Sequence, residues 1–279
     1  MEITANQSTI DTLTTSETQS GGGSDWIMHH ILDSHELDIA PFGSISLPHL
    51  SLFGLDISIT KHVVFLWIVS VLLIIAFKLA ANSYKKSLVP HGLTNFWEVM
   101  IVFVRDEIAK PTIGKGYDKF LPYLLTVFFF ILFSNFVGLL PNGATITSNI
   151  SVTVTLAVIS FIVIQGGGMM KSGALGYFKG LIPSGVPVWL LPIMFIVELL
   201  GLFTKPFALA IRLFANMTAG HIVIFALIGL IFILKTFFVA PVSVAFALFI
   251  YLLEILVAII QAYIFTMLTA LFVGMAVHQ

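Results

Sequence analysis

Residues 205–221 read KPFALAIRLFANMTAGH and place one arginine, Arg212, inside a long apolar stretch. A guanidinium keeps its proton in proteins, and translocon scales put its cost at the centre of a membrane helix at about 2.5–3.5 kcal/mol. The alternative is an arginine that snorkels from a helix end to the headgroups. Because the apolar sequence continues for several helical turns on both sides, we interpret Arg212 as a functional residue.

The composition is that of an integral membrane protein. Hydrophobic residues make up 58% of the 279 residues and charged residues 10%, and the mean hydropathy is +1.04. Soluble domains carry about 25% charged residues. We therefore expect a polar external segment over residues 1–60 and one helical membrane domain over residues 61–279. The absence of cysteine excludes disulfides and thiolate metal sites.

The charges predict the orientation of the chain. Residues 1–56 contain eight acidic residues and no lysine or arginine, whereas residues 82–119 hold six of the thirteen basic residues. By the positive-inside rule the N-terminus lies outside and the 82–119 loop lies in the cytoplasm. With about five membrane crossings, the C-terminus is also cytoplasmic.

The N-terminal region shows two weak patterns. Residues 1–24 lack the apolar core of a signal peptide and are predicted to be a disordered tail. A short surface helix is predicted over 26–36, where three histidines lie near carboxylates: His29, His30 and His35. Their spacing matches no standard zinc motif, so no metal site is predicted.

Three membrane spans and one interfacial helix are expected before residue 171. The apolar run 62–81 is long enough for a first span. Residues 94–110 repeat apolar side chains at helical spacing and predict an amphipathic interfacial helix that begins with a capping box, Asn95 and Glu98. Residues 120–170 form two spans, joined by a turn rich in Pro, Asn and Gly.

The remaining sequence, 187–277, consists of two apolar runs that are too long for single perpendicular spans. The first would reach roughly 70 Å as one helix, against about 30 Å for the hydrocarbon core. Each run is therefore either a pair of spans, broken near Pro206 in the first run, or one long, steeply tilted helix. Hydropathy alone does not choose between these alternatives.

Polar residues in these two runs fall into distinct helical positions. Glu198, Lys205 and Arg212 are seven residues apart and share one stripe, which Asn216 continues one turn after the arginine. His221 lies on the opposite side of an ideal helix, nine residues after Arg212. In the last run, Glu254 and Gln261 are also seven apart and share a face.

These residues carry a family resemblance. The sequence from Lys205 to His221, together with EILVAIIQAYIF from Glu254 to Phe265, resembles the signature of subunit a of F-type ATP synthases, the membrane proton-channel stator subunit. The resemblance implies an all-α membrane fold whose two C-terminal helices form a long tilted hairpin against a ring of c subunits. It implies no catalytic site, no cofactor and no nucleic-acid contact, and a bacterial plasma membrane as the location.

The resemblance also assigns expected roles. Arg212 corresponds to the essential arginine that faces the c-ring carboxylate, and Asn216 to the asparagine four residues on. Gln261 corresponds to the glutamine of the last helix and Glu198 to the acid on the cytoplasmic side. His221 and Glu254 stand where the commonest enterobacterial pattern has glutamate and histidine, so the two residue types are exchanged. Both arrangements keep a histidine with a carboxylate. His221 and Glu254 can change their protonation state, whereas Arg212 cannot.

Several alternatives stay open at this point. Asn135 and Lys205 are possible channel-lining residues, although Asn135 is equally well explained by a hydrogen bond between packed helices. The expected partners are the c-ring, the peripheral-stalk b subunits and lipid, and the coupling ion is H⁺ with Na⁺ not excluded. A secondary transporter would also place charges at mid-bilayer in broken helices, and a scaffold subunit would pair the buried arginine with a neighbour.

Overall fold

The computed structural model describes residues 36–39, 43–46, 51–52, 55–56, 58–84, 92–140, 143, 145–173, 176–177, 190–234 and 238–278. The predicted tail over residues 1–24 and the histidines of the 26–36 segment lie outside these ranges.

Two small antiparallel hairpins precede the membrane helices. Their strands are β1 (Glu36–Ile39), β2 (Gly43–Ser46), β3 (Ser51–Leu52) and β4 (Leu55–Asp56), with β1 paired to β2 and β3 to β4. The predicted surface helix is wrong at its end, because its last residue, Glu36, begins β1. The alternation of polar and apolar residues in ELDI was the strand signal there.

The rest of the described chain is helical. Its long helices are α1 (Lys61–Tyr84), α4 (Leu121–Gly138), α5 (Ile150–Ser172), α6 (Leu191–Leu234) and α7 (Val239–His278). All five are long and apolar enough to cross a membrane. The predicted all-α integral membrane protein is confirmed, and its first three spans begin and end within a few residues of the predicted limits.

The interfacial segment is less regular than predicted. α2 (Leu93–Phe103) continues through a π-helical segment, Val104–Ala109, into α3 (Lys110–Ile113). The wider π turn rotates the side chains that follow it. As a result the predicted apolar stripe is divided, with Phe96 54% exposed and Ile108 fully buried.

The predicted capping box at the start of this segment is wrong. The N-cap is Gly92, with a φ of 61°, and no side chain caps the helix. Asn95 lies inside α2, two residues after its first residue, so its side chain is placed too late in the helix to accept from the first free N–H groups.

The charged groups of this segment form a local ion-pair network. Arg105 Nε donates to Asp106 Oδ1 at 2.9 Å, and Lys110 Nζ lies 2.6 Å from the same oxygen. The hydrogen bond from Arg105, followed by that from Lys110, holds the pKa of Asp106 well below its usual range. The carboxylate therefore stays ionised at physiological pH, but the exposed position makes its contribution to stability small.

The core lies where α4 packs against the second half of α7 and the π-helical segment. Its largest fully buried side chains are aromatic and branched aliphatic groups that include Phe128, Phe129, Phe265, Ile108 and Leu124. The core thereby holds the middle of α7 at a fixed position beside α4 and α5.

The two long runs are single helices. α6 contains 44 residues and α7 contains 40, which corresponds to about 66 Å and about 60 Å along their axes. Pro206 lies inside α6 without ending it. The alternative of two spans per run, broken at Pro206, is therefore wrong, and the long hairpin implied by the family resemblance is correct.

Candidate functional site

The contact between α6 and α7 brings the two titratable groups of the hairpin together. His221 Nδ1 lies 2.6 Å from Glu254 Oε1, and the Glu254 side chain is only 3% exposed. Nδ1 is also 3.0 Å from Met217 O, so a proton on this nitrogen faces two acceptors. Glu254 Oε1 has no other partner among the described residues, and Oε2 has none.

The other ring nitrogen of His221 faces α4 and the connection that follows it. Nε2 lies 2.9 Å from Thr145 Oγ1 and 3.4 Å from Gly138 O. Gly138 is the last residue of α4, which places His221 at the level where that helix ends. The ring is thus held between the glutamate of α7 on one side and the α4–α5 connection on the other.

A second polar contact joins the hairpin nearby. Asn216 Nδ2 donates to Gln261 Oε1 at 2.9 Å, and Gln261 is 2% exposed. Both residues belong to the predicted site set. Asn216 precedes His221 on α6, while Gln261 follows Glu254 on α7. The Asn216–Gln261 and His221–Glu254 contacts are therefore neighbouring contacts between antiparallel helices.

Asn135 makes contacts typical of helix packing. It is fully buried, donates through Nδ2 to Ala258 O at 3.3 Å and accepts from Thr147 Oγ1 at 2.6 Å. These bonds tie α4 to α7 and to the 3-10 turn Ile146–Ser148. The geometry favours a packing hydrogen bond over a position in an open water path.

Arg212 lies on an exposed part of α6. Among the residues that the structure describes, none forms a hydrogen bond or an ion pair with its guanidinium. Asn216, one turn further along, bridges to Gln261 instead of to the arginine. An arginine inside an apolar helix that has no partner among the described residues requires a counter-charge or water from elsewhere.

The polar residues at the beginning of α6 lie in another environment. Lys205 Nζ lies 5.5 Å from the centre of the Phe272 ring, a cation–π distance. Lys205 and Phe272 line a small recess, whose wall also includes Gln165 and Tyr177. Burial raises the pKa of the Tyr177 hydroxyl above its usual value, and the negative charge of Glu198 adds to this effect.

The predicted site residues therefore separate into sets along the hairpin. His221 with Glu254 and Asn216 with Gln261 are brought into direct contact. Glu198, Lys205 and Arg212 keep their spacing of seven residues on the continuous α6. No group of three or more potential metal-ligating side chains occurs in the described ranges.

Sequence reasoning missed the residues that support the pair. Thr145 contacts the histidine ring, and Tyr251 OH donates to Leu139 O at 2.9 Å. Each contact joins segments far apart in sequence, so no spacing within one helix predicts its partner. The available signals were the polar character of the short connection after α4 and the position of Tyr251 three residues before Glu254 on the same helix.

The sequence is similar to that of known proteins along most of its length. The model of the family described as ATP synthase A chain matches residues 63–274, which include every predicted site residue. The chain belongs to this family. Its members named as subunit a are membrane components of the F-type ATP synthase, in agreement with the resemblance found in the sequence.

Individual relatives are similar over most of their length. "ATP synthase subunit a" of Chloroherpeton thalassium is 54% identical over 254 residues, which cover 90% of this chain and 76% of the relative. "ATP synthase subunit a 2" of Chlorobaculum tepidum is 54% identical, with 90% and 72% covered. "ATP synthase subunit a" of Myxococcus xanthus is 53% identical, with 80% and 74% covered.

Proposed function

We propose that this chain is the proton-translocating stator subunit of a rotary F-type ATP synthase, in which Arg212 separates two half-channels. The observation that carries the proposal is the arrangement around α6: an exposed Arg212 without a partner in the described residues, and a buried His221–Glu254 pair nine residues further along. Family membership supports the same function.

Arg212 supplies a fixed positive charge. It repels a hydrated proton and favours the ionised form of a carboxylate that faces it, which suits a barrier against direct leakage. None of the described acids of this chain forms an ion pair with it. We infer that the acid comes from another subunit, the c-ring carboxylate implied by the family resemblance.

His221 and Glu254 are proposed to carry protons in the half-channel that opens outside. With the N-terminus outside and residues 82–119 in the cytoplasm, α4 runs outward and ends at the outer side. His221 lies beside the last residue of α4, about 13 Å along α6 from Arg212. Glu254 Oε2 is buried and has no partner among the described residues, and a buried polar atom of this kind calls for a proton or a water molecule.

The beginning of α6 is proposed to belong to the cytoplasmic half-channel. Lys205 precedes Arg212 by seven residues, about 10 Å toward the cytoplasm in the proposed orientation. Its contact with Phe272 keeps the ammonium near the recess that also contains Tyr177. Glu198, one further stripe position toward the cytoplasm, supplies the negative charge at that end.

The proposed assembly contains partners on two sides. The c-ring faces the Arg212 side of the hairpin, the peripheral-stalk b subunits connect the chain to the rest of the complex, and lipid covers the remaining apolar surface. The location is a bacterial plasma membrane, with the C-terminus in the cytoplasm. The coupling ion is H⁺, and the c-ring carboxylate decides whether Na⁺ replaces it.

The transporter alternative loses its structural basis in this chain. It would use helices interrupted at mid-membrane, whereas α6 and α7 are each continuous over their full length. A purely structural scaffold would pair Arg212 with a neighbour and would give His221 and Glu254 only a packing role, which can be tested by experiment.

The test replaces Glu254 by Gln in the assembled complex reconstituted into vesicles. We expect a near-normal amount of complex with slower ATP-driven proton flux and an altered pH dependence, and partial recovery in the double exchange His221→Glu with Glu254→His. Glu107→Gln, the same chemical change at an exposed acid of the π-helical segment, is the matched control. Fewer assembled complexes with unchanged flux per complex would make the pair structural.

A further inference from the structure

We propose that Thr145 is a positioning residue for proton transfer: its hydroxyl holds the His221 ring in either protonation state. This inference rests on the proposed function, because it assigns a role relative to the His221–Glu254 pair. Three features support it: the contact of Thr145 with Nε2, the rigid placement of Thr145, and the chemistry of a hydroxyl compared with that of the neighbouring carbonyl.

Thr145 is fixed by several contacts. It is 3% exposed, and Ser148 donates to Thr145 O through both its hydroxyl, at 2.7 Å, and its backbone N–H, at 3.0 Å. Thr145 also packs directly against Gly138, where a Cβ atom would lie 2.6 Å from Thr145 Cα. The glycine at the end of α4 therefore lets the threonine approach His221 closely.

A threonine hydroxyl can both donate and accept a hydrogen bond. When the imidazole is neutral and its proton is on Nδ1, beside Glu254 Oε1, Nε2 is an acceptor and Thr145 donates to it. When the ring of His221 is protonated on both nitrogens, Nε2 becomes a donor and Thr145 accepts. The ring can thus gain and lose a proton without turning away from Glu254.

The second neighbour of Nε2 cannot do this. Gly138 O lies 3.4 Å away and, as a carbonyl oxygen, only accepts hydrogen bonds. Without the Thr145 hydroxyl, the Nε2 lone pair of the neutral His221 ring would face only Gly138 O, which is also an acceptor. The protonated ring would still donate from Nε2 to Gly138 O. The threonine hydroxyl therefore stabilises both the neutral and the protonated ring of His221, and its removal favours the protonated ring.

Other titratable groups near the ring are few in the described chain. From α7 they are Glu254 and Tyr251, whose hydroxyl donates to Leu139 O. α5 carries only Lys171, in its last turn at the far end of that helix. On α6 the charged residue nearest in sequence is Arg212, nine residues before the histidine.

On the remaining sides the neighbouring elements are almost free of charge. α4 carries no acidic, basic or histidine side chain within its described range, and its one tyrosine, Tyr123, lies near the opposite end of the helix and bonds to Ser160. The 3-10 turn contributes only threonine and serine hydroxyls near the ring. α1, which packs against this turn, carries Lys61 and His62 at its outer end, both buried and both with partners of their own. The pH dependence assigned to His221 is thus set mainly by Glu254 and Thr145.

The experiment compares Thr145→Val with Thr145→Ser in the reconstituted complex. Valine keeps the shape and removes the hydroxyl, whereas serine keeps the hydroxyl. For Thr145→Val we expect a lower ATP-driven proton flux per complex and a pH profile displaced upward by about one unit, because the neutral ring loses its only donor at Nε2 while the protonated ring keeps Gly138 O as an acceptor. Thr145→Ser should retain a profile close to that of the wild type.

Two controls separate this role from a structural one. Thr147→Val removes a buried hydroxyl from the same turn that bonds to Asn135, and Thr155→Val removes an exposed one that bonds within α5. Neither variant should displace the pH profile. If Thr145→Val has a wild-type profile, or if Thr147→Val displaces it equally, Thr145 only supports the turn and the inference is wrong.

His221→Ala tells this failure apart from a failure of the proposed function. If His221→Ala changes the flux and its pH profile while Thr145→Val does not, only the role of Thr145 is rejected. If His221→Ala leaves both unchanged, the proposed proton-carrying role of the pair is rejected together with the inference.

Discussion

Gly220 on α6 lies directly against the carboxylate of Glu254 on α7. A Cβ atom at position 220 would stand 2.7 Å from Glu254 Oε1 and 3.0 Å from its Cδ, closer than side-chain carbons approach in folded proteins. Because His221 is the next residue, this glycine lets the glutamate reach the ring nitrogen of the opposite helix. The position of the Glu254 carboxylate thus depends on residue 220 being a glycine, which has no side chain.

Gly220→Ala is expected to displace the Glu254 carboxylate while the hairpin still folds. The atoms that the new methyl group would meet belong to the far end of a flexible side chain, which can change rotamer, and alanine favours the helix by up to about 1 kcal/mol over glycine. We therefore predict normal assembly with strongly reduced proton flux per complex, measured in vesicles.

Gly201→Ala is the matched control for this change. It adds the same methyl group to the same helix at a position with no atom within 4 Å of the new carbon. Its flux should equal that of the wild type. If Gly220→Ala pumps as fast as Gly201→Ala, the exact position of the carboxylate does not matter for transport.

Much of the fold could be predicted from local sequence, because it depends on the length and hydropathy of single segments. The first spans and the turn after α4 follow from runs of apolar residues and from turn chemistry. Whether 187–234 is one helix or two could not be read from hydropathy, since Pro206 is compatible with a break as well as with a continuous packed helix.

The candidate site was predictable only in part. Glu254, His221 and Arg212 stand out because polar groups are costly in lipid, and helical spacing placed His221 away from the arginine stripe. Two contacts decide the geometry: Thr145 with His221, and Gly220 with Glu254. Each joins residues 34 or more positions apart, and the second depends on glycine having no side chain. No periodicity within one helix contains that information.

The end of α7 gives a contrasting prediction at Gly274. A Cβ atom there would overlap the backbone oxygen of Thr112 and lie 3.0 Å from its carbonyl carbon, and His278 Nε2 lies 2.8 Å from Ile113 O in the same contact. Backbone atoms cannot move away as a side chain does. We expect Gly274→Ala to lower the amount of assembled complex and its thermal stability, with a cost of about 1–3 kcal/mol.

Gly166→Ala on α5 tests whether this effect is local, because no atom lies within 4 Å of the added carbon. Blue-native gels and thermal inactivation would measure both variants. A Gly274→Ala complex that is as abundant and as stable as Gly166→Ala would show that α7 and α3 are not held together by this close approach.

The Asn216–Gln261 hydrogen bond should contribute measurably to the hairpin. A double-mutant cycle with Asn216→Ala and Gln261→Ala isolates the pairwise term. Hydrogen bonds between membrane helices average about 0.6 kcal/mol and reach about 1.7 kcal/mol in such cycles. We expect a coupling energy in this range from reversible unfolding in detergent.

The cycle has a matched comparison in the chain itself. Thr155, whose hydroxyl bonds to Ser151 O within α5, paired with Gln261 should give no coupling, because the two side chains do not touch. A value near zero for Asn216 with Gln261 as well would mean that the 2.9 Å contact adds nothing to the stability of the hairpin.

The central claim is that the charge of Arg212 acts in transport and not in folding, and ATP-driven proton pumping by Arg212→Ala complexes in vesicles tests it most directly. The variant should assemble, because Arg212 makes no hydrogen bond or ion pair with the described residues, and it should not pump. Arg212→Lys should also fail largely, since an ammonium lacks the planar donor geometry and can lose its proton when desolvated. Pumping by Arg212→Ala at the wild-type rate would contradict the account.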